Sequence, residues 1–323
     1  MKKRILPLIG LACSLTIPSW AIVTTGLDPN DAMYLAPAGG PFDGVAALRL
    51  TFGASTFGCS GSLLSTGMHI LTAGHCVADF FGAPTPDSTT VRFITGLGTT
   101  DILAADYDVF PLWDGDLFSG TDLAIITLAS LAPADALRYD IYNLADEVGQ
   151  VGELAGFGLA GTGSTGPTIG FGTRRHGSNL YDTEASFFFL SGNILLMDFD
   201  SGSAVNDALG LAGLPDLGLG LSEVLFSFGD SGGPTFLNGK IAGVHSFIAS
   251  YGFCPPDVIT PPNFVGPVTG CKVDSSFGEL AGDTRVSSFD DFIASVIIPE
   301  PGSMALVALG FAAAVFVRRR RPA

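Results

Sequence analysis

The sequence predicts an all-β protein, on three observations. Glycine (43 residues) and phenylalanine (25) are abundant, the apolar runs are short and bounded by Gly, Pro, Ser, Thr and Asp, and apolar residues at helical spacing are nearly confined to one segment close to the C-terminus. Short apolar runs between turn residues are the mark of strands, whereas helices need longer stretches with a period near 3.6. The 323 residues suffice for one large β unit or two modest domains. No repeat of fixed period divides them.

The two ends read as addresses rather than fold. Residues 1–21, MKKRILPLIGLACSLTIPSWA, have a basic start, an apolar middle and the small residues Ser19 and Ala21. That is the pattern of a secretory signal peptide cut after Ala21. Cys13 lacks the usual leucine of a lipoprotein site three residues earlier, where Gly10 stands. Residues 299–323 hold a Pro-Glu-Pro turn, an apolar run from Met304 to Val317, and Arg318 to Arg321. The run is short against the roughly 17–25 residues of a membrane helix, and the arginines belong on the cytoplasmic side. This tail resembles the PEP-CTERM sorting signal of Gram-negative bacteria. The resemblance implies an exported envelope, surface or secreted protein with a short transmembrane segment, and as partners a signal peptidase and an exosortase-type sorting enzyme.

Seven of the 15 basic residues lie in these ends, leaving eight between Ile22 and Val317 against all 31 acids. Such a surface repels nucleic acid and anionic lipid, so neither is expected as a partner. Apart from Cys13 the cysteines are Cys59, Cys76, Cys254 and Cys271. An even count in an exported chain favours disulfides, and no CxxC spacing supports zinc. Three connectivities are open; the two pairs of near neighbours favour Cys59–Cys76 and Cys254–Cys271.

Three segments carry chemistry. In FGCSGSLLSTGMHILTAGHCV a strand (SGSLLS), a turn at Thr66 and Gly67 and a second strand (HILTA) lead to His75. A Cys59–Cys76 bridge would hold that imidazole rigidly, as a general base requires. In SGTDLAIITLASL, Asp122 stands at the mouth of an apolar strand from Leu123 to Leu128, where an acid is costly unless paired. In FSFGDSGGPTF, Ser231 is flanked by Gly229, Asp230, Gly232 and Gly233. Glycines let the backbone approach a ligand closely, so the amides of Gly229 and Ser231 can point into one site and receive an oxyanion. His69 reads as a strand residue, and His176 and His245 as surface or loop residues.

TAGHC, TDLAIITL and GDSGGP, in this order, resemble the motifs of the S1 or trypsin-like serine peptidases, with further likeness at AGFG (155–158), GTRR (172–175), GVHSF (243–247) and TRVSSFDDFI (284–293). The resemblance spans residues 22–297. It implies the chymotrypsin-type fold, two antiparallel six-stranded β-barrels (about 42–150 and about 151–297 within a domain at 22–298) with a C-terminal helix and the site in the cleft between them. It implies a catalytic Ser-His-Asp triad of His75, Asp122 and Ser231, with Gly229 and Ser231 as oxyanion hole, acting on a protein or peptide as a monomer. It further implies that Asp230 pairs with a new N-terminal ammonium. Ile22 and Val23 follow the signal-peptide site directly, so signal peptidase itself is expected to free the Ile22 amine.

The same resemblance sets expectations for specificity. Leu225 occupies the base of the primary pocket, with Ser246 and Phe247 also lining it and Ile248 and Ala281 at the wall positions where the family carries glycines, which favours small or medium apolar side chains. Without an acid at that base, basic P1 residues are not expected to be preferred. The family's pocket disulfide has no counterpart, since Ser227 stands at its place. Residues 156–172, with seven glycines, read as a long loop, and SSFDDFIASVI as the one helix, capped by Ser288, with Phe289, Phe292, Ile293, Val296 and Ile297 on one face. Residues 195–223 depart most from the family. Asp198, Asp200, Asn206 and Asp207 there are calcium candidates without EF-hand spacing; a solvated acidic loop is the plainer expectation, and no cofactor is required. The competing class is an envelope or matrix binding protein that keeps the fold without the activity.

Overall fold

Residues 22–26, 28–78, 85–250 and 273–298 are described by the computed structural model. The predicted signal peptide, the Cys254–Cys271 pair and the sorting tail lie outside them. Among the described residues no helix is long and apolar enough to cross a membrane.

A two-residue N-terminal strand, β1 (Val23–Thr24), precedes the first barrel, which is built from β2 (Val45–Phe52), β3 (Ser55–Leu63), β4 (His69–Thr72), β5 (Ser88–Thr95), β6 (Gly98–Val109) and β7 (Ala124–Leu128). The six close in the order β2-β3-β4-β7-β6-β5. In β5 the period-two pattern is clear: Thr89, Val91, Phe93 and Thr95 are buried while the residues between them are not. Leu48, Leu63, Ile70, Val91, Phe93, Ile125 and Leu128 meet inside, each contributing about 1.5–3 kcal/mol by its burial.

The second half contains β8 (Val151–Gly156), β9 (Ala160–Thr162), β10 (Gly166–Ile169), β11 (Arg175–Leu180), β12 (Thr183–Glu184), β13 (Ile194–Asp198), β14 (Val224–Leu225), β15 (Pro234–Leu237), β16 (Lys240–Ser250) and β17 (Glu279–Arg285). Seven strands form one antiparallel sheet, β11-β8-β15-β16-β17-β13-β12, and four form another, β10-β9-β1-β14. Among the described residues this half does not close by a backbone ladder as the first does. At the gap between β11 and β13, the Asn179 side-chain amide donates to the carbonyls of Asp198 and Val224 (2.8 and 2.9 Å). One side chain thus bridges what a strand pair would otherwise seal.

Two expectations need correction. The glycine-rich stretch 156–172 is not simply a loop, for it contains the hairpin β9–β10, and β9 runs parallel to β1. Its glycines serve close packing: a Cβ on Gly161 would strike the Gly166 carbonyl. At the C-terminus a 3-10 turn (Val286–Phe289) leads into α2 (Asp290–Ile297), so Ser288 is inside the turn and gives no cap. Asp290 and Asp291 in the first turn of α2 complement its dipole instead. Phe110 of the first half meets Phe289 and Phe292 edge-on at 4.8 and 5.3 Å, which docks the helix on the first barrel.

Candidate active site

His75 sits on a one-turn helix, α1 (Gly74–Val77), that follows β4 and that the sequence did not suggest. The Cys59–Cys76 disulfide ties α1 back to β3, and Cys76 Sγ lies 3.6 Å from the Ser231 carbonyl oxygen. Cys59, His75 and Cys76 are close enough to suggest a metal site, but the disulfide removes both thiolates.

Asp122, fully buried just before β7, grips His75 at two points. Its Oδ1 accepts from the His75 backbone amide (2.8 Å), and its Oδ2 is 2.7 Å from Nδ1. The second half completes the shell: the Ser246 hydroxyl donates to Oδ2 (2.5 Å) and the Thr284 hydroxyl to the Asp122 carbonyl (3.0 Å). Sequence reasoning had Ser246 in the pocket wall and missed its bond to Asp122. A hydroxyl next to two pocket residues was the available signal.

Ser231 stands in the turn between β14 and β15. Asp230 N donates to Ser227 O and Gly233 N to Asp230 O, and Gly232 N donates to His245 O of β16. Gly229 and Gly232 have φ of 88° and 80°, and a Cβ on Gly232 would strike Thr72 and Ser60. Ser60 joins this turn to the first barrel: its amide donates to Ser231 O, its hydroxyl to Gly229 O, and the hydroxyl accepts from Phe157 N. Among the described residues neither the Gly229 nor the Ser231 amide donates a hydrogen bond. The arrangement therefore holds a hydroxyl, a carboxylate-bound imidazole and two uncommitted amides around one turn.

Asp230 is buried, with Oδ1 accepting from Gly158 N (2.6 Å) and Oδ2 from Ser227 N (2.9 Å) and Ile22 N (3.1 Å). Burial pushes its carboxyl up to about 7, against the pull of those hydrogen bonds and of the Arg175 charge. Ile22 has φ of +39°, a left-handed conformation rare for a β-branched residue. The two arginines of the GTRR motif seat the N-terminal segment. Arg174 pairs with Asp43 (2.7 Å) and donates to the carbonyls of Ala36, Pro37 and Ile94, and Arg175 donates to Pro29 O and to Asn30.

Leu225 is fully buried in β14. Ile248 faces Ala281 across the β16–β17 ladder, and Phe247 packs edge-on against Phe118 at 4.9 Å. The Ser227 hydroxyl has no partner among the described residues. One histidine expectation is overturned. His245 is fully buried in β16 against the Phe226 ring (4.3 Å) with neither ring nitrogen partnered, and burial lowers its pKa to about 3, so it is neutral. His176 lies in β11, half-buried, with Nδ1 3.0 Å from Glu153. His69 is in β4 as expected, 2.7 Å from the Thr66 hydroxyl. The acidic stretch is not a solvated loop either: Asp198, Asp200 and Asp207 are all buried, while Asn206 accepts from Ser201.

Comparison with known proteins shows the family and the fold. The trypsin family model covers residues 43–268, and the PEP-CTERM protein-sorting motif covers residues 298–321, marking an exported protein processed at the cell envelope. Among solved structures the fold is similar to HL collagenase (21% identity, TM-score 0.54, over 81% of this chain and 95% of that one). It is also similar to neuropsin, a serine protease expressed in the limbic system of mouse brain (16%, TM-score 0.55, 82% and 98%). No curated protein matches by sequence. The family match runs through every strand of the first barrel and through the Ser231 turn, and on it the chain belongs to the trypsin family of serine endopeptidases.

Proposed function

We propose that Ser231 is the nucleophile, attacking a scissile peptide carbonyl while His75 takes its proton and returns it to the leaving amine. Asp122 keeps the imidazole in one tautomer through Nδ1 and stabilises the imidazolium, and the Gly229 and Ser231 amides receive the oxyanion of the tetrahedral intermediate. The observation that carries this reading is the two-point grip of Asp122 on His75, 2.8 Å to the amide and 2.7 Å to Nδ1, which fixes the imidazole by one edge. The substrate is a protein or peptide met outside the cytoplasm, and the enzyme acts as a monomer. The test is labelling of the exported protein with a serine-directed fluorophosphonate. Wild type labels and Ser231→Ala does not; equal labelling of both, or none of wild type, overturns the assignment.

Activation, on this reading, is signal-peptide removal. Cutting after Ala21 turns the Ile22 amide into an ammonium already within 3.1 Å of Asp230, and it abolishes the strained φ of residue 22, worth about 1–3 kcal/mol. The P1 side chain is apolar and of small to medium size. Support comes from the apolar Leu225 at the pocket base and from Ile248 and Ala281, which narrow the wall where they face each other.

A further inference from the structure

The buried acids after β13 are not explained by peptide hydrolysis. Carboxylate oxygens of Asp198, Asp200 and Asp207 all lie within 4.8 Å of one another. Asp198 Oδ2 accepts from Leu209 N (2.8 Å) and Asp207 Oδ1 from Gly210 N (2.5 Å), which spends one oxygen of each and leaves the other. Asp200 is 2% exposed, and its Oδ1 is buried with no hydrogen-bond donor. Among the described residues the charged groups that act most strongly on Asp200 are carboxylates: Asp198, Glu223, Asp207 and Asp182. A buried carboxylate with neither donor nor cation is costly, and three converging ones without a counter-charge repel each other.

We propose that Asp198, Asp200 and Asp207 form a binding site for one Ca²⁺ ion. The donors are all oxygen, with no histidine or thiolate, which selects a hard cation over zinc. Oxygens on opposite sides of Ca²⁺, each about 2.3–2.6 Å from it, are about 5 Å apart, in keeping with the observed spread. Mg²⁺ takes shorter bonds, about 2.0–2.1 Å, and keeps several waters, which a site of buried protein carboxylates suits less well. The site is tied to the Ser231 half through Glu223, whose carboxylate accepts from the amides of Asp200 and Leu219 (2.6 and 2.5 Å) and whose chain continues into β14 and Leu225.

The test is thermal melting of the exported protein carrying Ser231→Ala, which excludes self-digestion, after stripping with EDTA. CaCl₂ at about 10 mM is expected to raise Tm by about 5 °C, and MgCl₂ at equal concentration by less than half as much. Adding Asp200→Asn removes the calcium increment while leaving Tm in EDTA equal or higher, because a repelling charge is gone; Asp207→Asn serves as a second variant. No calcium shift in the Ser231→Ala protein, an equal shift with MgCl₂, or a full shift in both Asn variants overturns the proposal.

Discussion

Retaining a single residue before Ile22 should disable the enzyme, and the size of the effect follows from Asp230. In the unfolded chain its carboxyl ionises near its ordinary 3.8, but burial in the fold raises it to about 7 in spite of three backbone amides and the Arg175 charge. The folded state then holds the proton more tightly than the unfolded one. Stability is fullest below pH 4 and declines as the pH rises through 7. A span of about three units corresponds to roughly 4 kcal/mol, to which the strained Ile22 conformation adds about 1–3 kcal/mol. An ammonium 3.1 Å away removes most of that cost by pairing with the ionised form. A protein made with Ala21 retained is therefore expected to lose about 100- to 1000-fold in kcat/KM at pH 7–8. Its Tm should fall between pH 4 and 7, while that of the Ile22-start form does not. The assay is peptide hydrolysis by the two forms, with N-terminal sequencing of each. Equal kcat/KM for both would refute the reasoning, as would an exported protein beginning anywhere but Ile22.

Four further outcomes are expected. Ser246→Ala removes a hydrogen bond to the buried Asp122 carboxylate, and at about 1.5–3 kcal/mol it should lower kcat by about 10- to 100-fold with little change in KM; an unchanged kcat and pH profile would show that the bond is only structural. Reduction of Cys59–Cys76, which closes a loop with a sequence separation of 17, should cost about 3 kcal/mol, read as a fall in Tm with a reductant and in the double serine variant. Peptides with Ala or Leu at P1 should be cleaved faster than those with Lys or Arg, and Leu225→Asp should shift the ratio towards Arg; a wild-type preference for Arg contradicts the pocket assignment. Arg174→Ala strands the buried Asp43 and should destabilise by about 3–5 kcal/mol, measurable by denaturant melting.

What the sequence made legible is local chemistry. His75, Asp122 and Ser231 each stand in a short motif whose turns and glycines are demanded by the side chain they present, so each can be found without knowing the fold. The C-terminal helix is readable for the same reason, since the spacing of Phe289, Phe292, Ile293 and Val296 is a local property. What escaped depends on distant partners. The hairpin β9–β10 reads as loop because its pattern is mostly glycine, and its support comes from β1, over a hundred residues earlier. His245 and the acids Asp198, Asp200 and Asp207 are polar residues whose burial is decided by tertiary packing, and composition alone assigns such residues to the surface. The sealing of the second half by Asn179 rather than by a strand pair could not be read from a polar residue in a strand.

Asp122 belongs by chain to the first half, yet Ser246 and Thr284 of the second half hold its carboxylate and its carbonyl. This arrangement works as a coincidence detector. A molecule with only one half folded lacks the shell that orients the acid, so an incompletely folded copy has no such arrangement. The acid is thereby oriented only in molecules whose two halves have both folded and met.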